Sequence, residues 1–309
     1  MPPEALKIDT SLTTDILHGL FDKIWKEGRF PKDWKEGHLV KLPKKGDLSN
    51  CNNYRGITLL SIPGKVFNRI ILERIKTAVD NKLREEQAGF RKNRSTIDQI
   101  ATLRIIVEQS IEWKSSLIVN FIDYEKAFDS LDRKTLWKIM RHYGIPSKLV
   151  QLVEELYEGS SCRVVHDGQL TDSFDIITGV KQGCILSPFL FILAIDWLMK
   201  ETTSGSRNGI QWTLWTQLED LDFADDLALL SHTQAQMQEK TTDLDKLSRS
   251  VGLHIHPRKS KIFKANTTKE VTVVVNTEKL EEVDSFIYLG SVIDRKGGTE
   301  ADIKSRIGS

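Results

Sequence analysis

Two apolar runs of this sequence are followed by carboxylates whose spacing could support chemistry. Leu117–Ile122 is a short, β-branched run that predicts a buried strand, and Asp123 follows it directly. Asp225 and Asp226 are flanked by two further apolar runs, which predict two strands that fold back at this doublet. Carboxylates that converge at such strand ends are partly desolvated and repel each other unless a cation joins them.

A small set of carboxylate oxygens suits Mg²⁺, because this ion keeps coordination positions for waters and substrate phosphates. A pair of such ions can bind the attacking hydroxyl and the leaving phosphate of an in-line displacement. The same aspartates could instead cap the backbone of two ordinary turns. The acidic segments alone therefore leave a metal site and a structural turn as open interpretations.

The elements that must position these carboxylates are predicted to be helices alternating with short strands. Amphipathic periodicity and capping residues predict helices over Ile16–Trp25, Lys65–Leu83, Ser95–Trp113, Asp132–Tyr143, Ser147–Tyr157, Ser187–Lys200 and Gln234–Ser250. Asp167-Gly168 predicts a hairpin turn, and the segments Val271–Val275 and Phe286–Ile293 predict further strands. This order indicates an α+β fold in which helices pack on a small, mostly antiparallel sheet.

Charge is distributed unevenly along the 309 residues, although the net charge is only +1. Residues 23–94 contain 18 Lys and Arg against 8 Asp and Glu, whereas the rest of the chain is mildly acidic. Such an asymmetry is expected where one part of a protein holds phosphates and another holds metal-binding carboxylates. A solvated surface can give the same pattern, so charge alone does not decide the function.

The sequence contains no candidate membrane span or secretion signal. The longest apolar stretch, Cys184–Met199, is interrupted by Pro188 and Asp196, so it is too short and too polar to cross a bilayer. No basic start followed by an apolar run occurs near Met1. Three widely spaced cysteines suit a reducing compartment. We therefore expect an intracellular protein without a membrane partner, in the cytoplasm or the nucleus.

Eight short segments follow one another in an order that is typical of a known family. They are Lys41–Asp47, Asn53–Ile57, Gln87–Thr96, Asp123–Asp129, Gly179–Cys184 with Ser187-Pro188, Phe223–Asp226, Gly252-Leu253 with Lys259–Lys261, and Tyr288–Gly290. In this order and spacing they resemble the reverse transcriptase domain of non-LTR (LINE-type) retrotransposons, over most of the chain. The resemblance implies an RNA-directed DNA polymerase. It also implies the fingers and palm of the right-hand polymerase fold, with a small antiparallel palm sheet packed on helices and the thumb largely missing.

The resemblance gives roles to the two acidic segments. It implies that Asp123 and Asp225 hold two Mg²⁺ ions, for which Mn²⁺ can substitute, and that Asp226 lies beside them. It implies that the backbone of Tyr124 faces the triphosphate of the incoming nucleotide. Phe128 matches an aromatic residue that packs on deoxyribose and clashes with a 2′-hydroxyl, because a rigid ring beside C2′ leaves no room for it. An ordinary core phenylalanine is the alternative.

Further positions match family residues around the nucleotide. Lys44 and Arg55 match the basic pair that grips the incoming triphosphate, where cations neutralise charge that builds up in the transition state. The neighbouring Lys41 and Lys45 are alternatives to Lys44. Gln182 matches a residue beside the incoming nucleotide and the template, and its flanking glycines permit close backbone approach.

Two positions near the end of the chain also match the family. Lys259 matches a lysine that could donate a proton to pyrophosphate, with a solvated surface lysine as the alternative. The hairpin that positions the primer end, the primer grip, corresponds to Tyr288, Leu289 and Gly290.

The segment Gln87–Thr96 resembles the family pattern Q-x-G-F-R-x-x-R-S-T. Its cations Arg91, Lys92 and Arg94 lie just before a predicted helix N-terminus, where backbone amides and positive charge suit template phosphates. A basic loop without a ligand is the alternative. The partners implied by the family are an RNA template, a DNA primer and deoxynucleoside triphosphates.

The resemblance divides the chain into two regions. Residues 1–115 correspond to the fingers, with N-terminal helices and the basic template- and nucleotide-binding segment. Residues 116–309 correspond to the palm, which includes the primer grip and ends before the thumb. Family members usually carry an endonuclease ahead of the polymerase, and no such region is recognisable here. We therefore expect a fragment of a retrotransposon open reading frame, whose oligomeric state the sequence does not indicate.

Two other interpretations are compatible with the sequence. A catalytically inactive remnant of the same fold would bind RNA without extending a primer. An RNA-templated RNA polymerase would share the palm and the acidic doublet, but Phe128 argues against it because such an enzyme must accept ribose.

Overall fold

The computed structural model describes residues 3–205, 207–267 and 270–307. The α-helices are α1 (Thr10–Glu27), α2 (Lys32–Lys35), α3 (Ile62–Val79), α4 (Thr96–Glu112), α5 (Ala127–Ser130), α6 (Arg133–His142), α7 (Ser147–Tyr157), α8 (Ser187–Thr203), α9 (Gln234–Ser250) and α10 (Glu300–Ile307). The strands are β1 (Glu36–Pro43), β2 (Tyr54–Leu59), β3 (Leu117–Ile122), β4 (Ser161–His166), β5 (Gln169–Leu170), β6 (Phe174–Asp175), β7 (Ile210–Gln211), β8 (Gln217–Leu218), β9 (Asp220–Phe223), β10 (Asp226–Ser231), β11 (Lys261–Ala265), β12 (Val274–Val275), β13 (Glu278–Lys279), β14 (Glu281–Val283), β15 (Ser285–Tyr288) and β16 (Ser291–Asp294). The predicted α+β fold is confirmed.

Capping residues define several of the helix ends that the sequence predicts. Asp9 accepts a hydrogen bond from the backbone N–H of Leu12 at the start of α1, and Gly28 ends this helix in the left-handed conformation. Ser95 and Asp98 form a reciprocal capping box at the start of α4. The observed ranges of α7 and α9 are the predicted ones.

The apolar helix α8 begins at Ser187, the predicted start, and Pro188 occupies its second position. The side chains of Leu190–Ile195 are fully buried, which explains why this helix lacks a polar face. Across the described parts of the chain, no helix, α8 included, is long and apolar enough to cross a membrane.

The chain forms two compact units, each built from two stretches of sequence. The first contains the residues up to Lys82 together with Leu131–Phe191, and the second contains Leu83–Ser130 together with the residues from Ile192 onward. The predicted boundary between residues 115 and 116 separates functional regions of the family, not compact units of structure. It therefore stays a prediction.

The first unit contains a five-stranded sheet whose strands β1 and β2 the sequence analysis did not predict. The strand order is β2-β1-β4-β5, with β6 also paired to β4, and β1 runs parallel to β4. Gly37 and Gly56 interrupt the apolar pattern of β1 and β2. A Cβ atom at Gly37 would lie 2.2 Å from the Thr58 side chain, and one at Gly56 would lie 2.8 Å from Leu39. Each glycine therefore makes room for a side chain of the paired strand.

The second unit contains a five-stranded sheet in the order β14-β11-β3-β10-β9. All of its pairings are antiparallel except that between β11 and β14, so the prediction of a small, mostly antiparallel sheet is confirmed here. The central strand β3 is buried along its whole length, as its continuous apolar run predicts.

Helices α4 and α9 cover opposite faces of this sheet. Val119 and Phe121 of β3 belong to one buried cluster with Leu103 of α4. Asn120, which points to the other face because side chains alternate along a strand, donates a hydrogen bond of 2.9 Å to the Thr241 hydroxyl of α9. The ends of β3, β9 and β10 are thus held between two layers of helix.

Candidate active site

Asp123, Asp225 and Asp226 lie at one end of the sheet of the second unit. Leu227 of β10 pairs with Ile122 of β3, so the same antiparallel register sets Asp226 opposite Asp123. Asp225 lies in the two-residue turn between β9 and β10, beside Ala224. The structure therefore brings together the two acidic segments that the sequence analysis singled out.

The three carboxylates act on one another electrostatically. The pKa of Asp226 is raised to about 6, first because its carboxyl is partly removed from water and then because Asp225 and Asp123 carry like charges nearby. Repulsion of this kind is relieved by a bound cation.

The donor set of this turn fits a magnesium ion that keeps part of its water shell. Oδ1 of Asp123 is buried and accepts no hydrogen bond from the described residues, so this oxygen is open to a metal. No group of three or more acidic, histidine or cysteine side chains in the described ranges forms a ready-made metal cluster. Mg²⁺ is commonly held by one or two carboxylates together with waters and substrate phosphates, which matches the donors present.

The segment after α9 supports Asp123 from the other side. The backbone N–H of Asp123 donates to the hydroxyl of the buried Ser260 at 3.1 Å, and the backbone N–H of His256 donates to the Asp123 carbonyl at 2.8 Å. Nζ of Lys259 lies 3.7 Å from Oδ1 of Asp123. The predicted lysine is therefore next to the first aspartate, whereas the supporting roles of Ser260 and His256 were not predicted.

Gln87 holds the turn between β9 and β10. Its Oε1 accepts hydrogen bonds from the backbone N–H groups of Gly89 at 2.8 Å and Ala224 at 2.9 Å. Ala224 has a φ of 59°, a left-handed conformation that costs energy for a residue with a Cβ atom. The Gln87 side chain, which is fully buried, therefore stabilises a strained residue next to Asp225.

The backbone at Gly89 passes very close to the same turn. A Cβ atom there would lie 2.4 Å from the backbone nitrogen of Ala224. A side chain at position 89 would thus displace the acidic turn, which gives a physical reason for glycine in this segment.

A buried ionic cluster fixes β9 below the turn. The guanidinium of Arg84 donates to Asp220 at 2.8 Å, contacts Asp222, and lies 3.4 Å from Asp196. All three carboxylates are fully buried. Burial, followed by the charge of Asp220, raises the pKa of Asp222 well above its usual value. The cluster joins residues more than 100 positions apart, and no local sequence pattern indicates it.

Tyr124 and Phe128 follow Asp123 directly. The hydroxyl of the buried Tyr124 forms a hydrogen bond of 2.9 Å with Ser248 of α9, which leaves the backbone of this residue as the part that could face a ligand. Phe128 is half-buried in the short helix α5. Its predicted contact with the sugar stays a prediction.

The basic residues of the segment Gln87–Thr96 are partly committed to the protein itself. The guanidinium of Arg91 donates to the carbonyl oxygens of Arg84 at 2.6 Å and of Gln87 at 3.0 Å. Lys92 is exposed, and Arg94 forms an ion pair with Glu85. Their predicted contact with the template stays a prediction.

The predicted primer grip is a tight hairpin between β15 and β16. The hydroxyl of the buried Tyr288 donates to the carbonyl of Leu221 in β9 at 3.1 Å, and burial raises the pKa of this tyrosine well above its usual value. Leu289 and Gly290 form the turn, both with positive φ. Positive φ at both positions is typical of a two-residue turn that follows the twist of its strands.

In the first unit, Lys44 and Arg55 lie where β1 and β2 meet. Leu42 pairs with Arg55, and the backbone N–H of Lys44 donates to the Asn53 carbonyl at 2.7 Å, so the pairing continues through Lys44. Because side chains alternate along a strand, Lys44 shares a face with Arg55, whereas Lys41 lies on the opposite face.

Gln182 lies beside the far end of β2. Its carbonyl accepts a hydrogen bond of 2.7 Å from the backbone N–H of Thr58. The next residue, Gly183, has a φ of 102°, and a Cβ atom there would lie 2.5 Å from the Thr58 carbonyl oxygen. The backbone that closely approaches Gly183 is therefore that of β2, in the same unit.

A small antiparallel sheet between helices, with an acidic hairpin turn facing a third carboxylate, has the features of a nucleic-acid polymerase palm. The family described as reverse transcriptase (RNA-dependent DNA polymerase) matches residues 42–293, and the chain belongs to this family.

Relatives from retrotransposons support the same assignment. The chain is 30% identical over 206 residues to the retrovirus-related Pol polyprotein from type-2 retrotransposable element R2DM of Drosophila melanogaster, covering 65% of this chain and 19% of that protein. It is 26% identical to the RNA-directed DNA polymerase from mobile element jockey of the same species, covering 96% of this chain and 32% of that protein. The resemblance to non-LTR retrotransposon polymerases is confirmed, and the chain spans between about a fifth and a third of the length of these relatives.

Solved structures with a similar fold include yeast telomerases. Apo telomerase from Candida tropicalis, truncated from its C-terminal domain, superposes with a TM-score of 0.60 at 13% identity, covering 86% of this chain and 54% of that one. Telomerase from the same species in complex with a TWJ fragment of telomeric RNA gives 0.56 at 13% identity, covering 91% and 48%. At this identity the likeness shows the fold alone.

Proposed function

We propose that this chain adds deoxynucleotides to a primer 3′-hydroxyl on an RNA template, with Asp123 and Asp225 as the ligands of two Mg²⁺ ions. The observation that carries the proposal is the strand register that opposes Asp123 and Asp226 and leaves Asp225 in the intervening turn. The mutual electrostatic effect of the three carboxylates supports it.

The chemistry would be divided between the ions and the protein. When bound, Mg²⁺ lowers the pKa of the attacking hydroxyl and offsets charge on the phosphates, and Mn²⁺ can substitute for it. Asp123 and Asp225 position the ions. Lys259, whose Nζ lies 3.7 Å from Oδ1 of Asp123, would donate a proton to the leaving pyrophosphate.

The nucleotide would be held by residues of both acidic and basic segments. Lys44 and Arg55, on one face of the β1–β2 hairpin, would grip the triphosphate. Gln182 and the backbone of Tyr124 would lie beside the nucleotide. Phe128 would exclude the 2′-hydroxyl of ribose, because a rigid ring in that position clashes with it.

The template and the primer would contact the second unit. We assign template phosphates to Arg91, Lys92 and Arg94, of which Lys92 is exposed and Arg94 is paired with Glu85. The turn residues Leu289 and Gly290 would support the primer end, because Tyr288 is buried against β9. The family description, RNA-dependent DNA polymerase, supports RNA as the partner.

Primer extension on poly(rA)/oligo(dT) with Mg²⁺ or Mn²⁺ tests this proposal. We expect extension by the wild type and none by Asp225→Asn, since the substitution removes a metal ligand without changing the size of the side chain. Asp172→Asn, at an exposed position of the first unit, is the matched control and should extend normally. Equal extension by Asp225→Asn would contradict the catalytic assignment.

The second candidate is an inactive RNA-binding remnant of the same fold. It predicts RNA binding with a steep salt dependence but no extension product. Measuring primer extension and RNA binding on the same preparation separates the two candidates, because only an active palm extends the primer.

A further inference from the structure

An exposed aromatic hairpin lies in the second unit, and none of its residues has a role in the proposed function. Strands β7 and β8 pair, and residues 212–216 form the turn between them. Trp215 is 90% exposed and Leu214 is 86% exposed at the tip of this turn. Burying a large apolar side chain typically contributes a few kcal/mol, so a ligand that covers these two residues would gain affinity from them.

The turn is held in one conformation by its own hydrogen bonds. The backbone N–H groups of Trp212 and Thr213 donate to the Thr216 carbonyl at 3.0 and 3.2 Å. The two threonine hydroxyls share a hydrogen bond of 2.6 Å, and the amide of Gln211 donates to the Thr213 carbonyl. Because the turn is already ordered, the Trp215 indole is presented without further loss of backbone entropy.

A polar groove of about 310 Å³ lies beside this indole. This volume is at the small end of the range for ligand sites, which is roughly 300–1,000 Å³. Arg207, Gln211 and Gln217 line the groove together with Leu214, Trp215 and Glu219.

The charges that line this groove leave one cation available. The carboxylate of Glu219 forms an ion pair of 2.6 Å with Lys240. The Arg207 guanidinium forms no ion pair within the described ranges, and Arg207 is exposed.

We propose that this groove binds a nucleotide of single-stranded RNA, with the base stacked on Trp215, the phosphate on Arg207 and the base edge on the amide of Gln217. Stacking on an exposed indole requires a base that is not already stacked in a duplex, which favours a single strand. The available guanidinium and the Gln217 amide favour RNA over a protein partner, whose contact surface would be apolar at its centre. The inference relies on the proposed function only for RNA as the ligand.

Photo-crosslinking and affinity measurements on the whole chain test this site. The probe is a fluorescein-labelled, unstructured RNA of twelve nucleotides carrying 5-iodouridine, used without primer or nucleotide. We expect a crosslink on the peptide that contains Trp215. We also expect Trp215→Leu to weaken binding about 5- to 150-fold, the range expected for loss of one stacked base. Trp215→Phe should retain most of the affinity because it keeps an aromatic face.

Two further variants distinguish stacking from general adhesion. Trp113→Leu, which removes an exposed indole that does not line the groove, should bind RNA as the wild type does. Arg207→Gln should reduce the salt dependence of binding by about 0.7 logarithmic units per decade of salt, as expected for loss of one phosphate contact to a single strand.

Three results would overturn the inference. They are the absence of a crosslink near Trp215, unchanged affinity in Trp215→Leu, and concentration-dependent self-association that Leu214→Ala and Trp215→Leu abolish alike. Because no step of this experiment requires extension, loss of the groove and loss of polymerase activity are separate outcomes. A wild type that extends primers but fails these tests contradicts the groove alone. One that passes them without extending contradicts the proposed function alone.

Discussion

Lys44 and Lys41 are three positions apart, and this odd spacing puts them on opposite faces of the β1–β2 hairpin. The sequence left Lys41, Lys44 and Lys45 as possible partners of Arg55. The pairing of Leu42 with Arg55 decides which lysine shares a face with that arginine, because side chains alternate across a strand. Lys41 contacts the His166 ring nitrogen at 3.0 Å on the other face.

Lys44→Ala should therefore raise the KM for the nucleotide about 10- to 100-fold, since a hydrogen bond to a charged group contributes roughly 1.5–3 kcal/mol. Lys41→Ala is the matched control, and its KM should stay within about twofold of the wild type. Steady-state extension over a range of dTTP concentrations measures both. An equal rise in KM for the two variants would show that strand alternation does not select the phosphate contact.

At the scale of elements, the acidic turn depends on a segment more than 130 residues earlier in the chain. The Gln87 side chain supplies the hydrogen-bond acceptor for the backbone N–H groups of Gly89 and Ala224. Buried N–H groups that lose their acceptor cost about 1–3 kcal/mol each. The turn would then relax away from the strained conformation of Ala224.

We expect Gln87→Met to lower the kcat for extension about 10- to 100-fold with little change in nucleotide KM, because a shift of about 1 Å in a catalytic group can cost that much. Adding Ala224→Gly should restore part of the kcat, since glycine adopts positive φ without cost. Gln169→Met, on an exposed strand of the first unit, is the control. A double variant no better than Gln87→Met would contradict a role in holding the turn.

Lys181, beside the predicted Gln182, is a buried lysine that the first unit encloses. Its Nζ donates to the Lys35 carbonyl at 3.0 Å and lies 5.7 Å from the centre of the Tyr157 ring. Burial lowers the pKa of Lys181 to about 8. The unfolded chain, with an ordinary lysine pKa, binds more protons above this value, so the free energy of unfolding should rise with pH in that window.

Between about pH 7.5 and 9.5, wild type should gain on the order of 1–2 kcal/mol of stability relative to Lys181→Met, which has no titrating group there. Urea unfolding at both pH values under reducing conditions measures the difference. A stability difference that stays the same at both pH values would show that folding does not lower the pKa of Lys181.

Local patterns predicted the elements that have strong local signals. The continuous apolar run of β3, the acidic turn after β9 and the capping box of α4 were all expected, because each depends on adjacent residues. β1 and β2 were missed because Gly37, Pro43 and Gly56 break their pattern. Those glycines are explained only by side chains of the paired strand. The Arg84 cluster and the Gln87 contact depend on distant segments, which no spacing rule shows.

At the scale of the whole molecule, charge and fold point to different tasks for different stretches of chain. The basic residues concentrate in residues 23–94, whereas the carboxylates of the proposed metal site lie in the second unit. The chain matches its family over residues 42–293 but spans only part of the retrotransposon proteins that it resembles. Other activities of those longer proteins therefore do not follow from the carboxylates of this chain.

The most direct test of the central claim is Mn²⁺ binding measured by electron paramagnetic resonance in a stalled complex of the chain with RNA template, chain-terminated primer and dTTP. The account predicts saturable binding by the wild type and at least about tenfold weaker binding by both Asp123→Asn and Asp225→Asn, because each removes a ligand of the shared site. Wild-type Mn²⁺ affinity in either variant would contradict a site built from both aspartates.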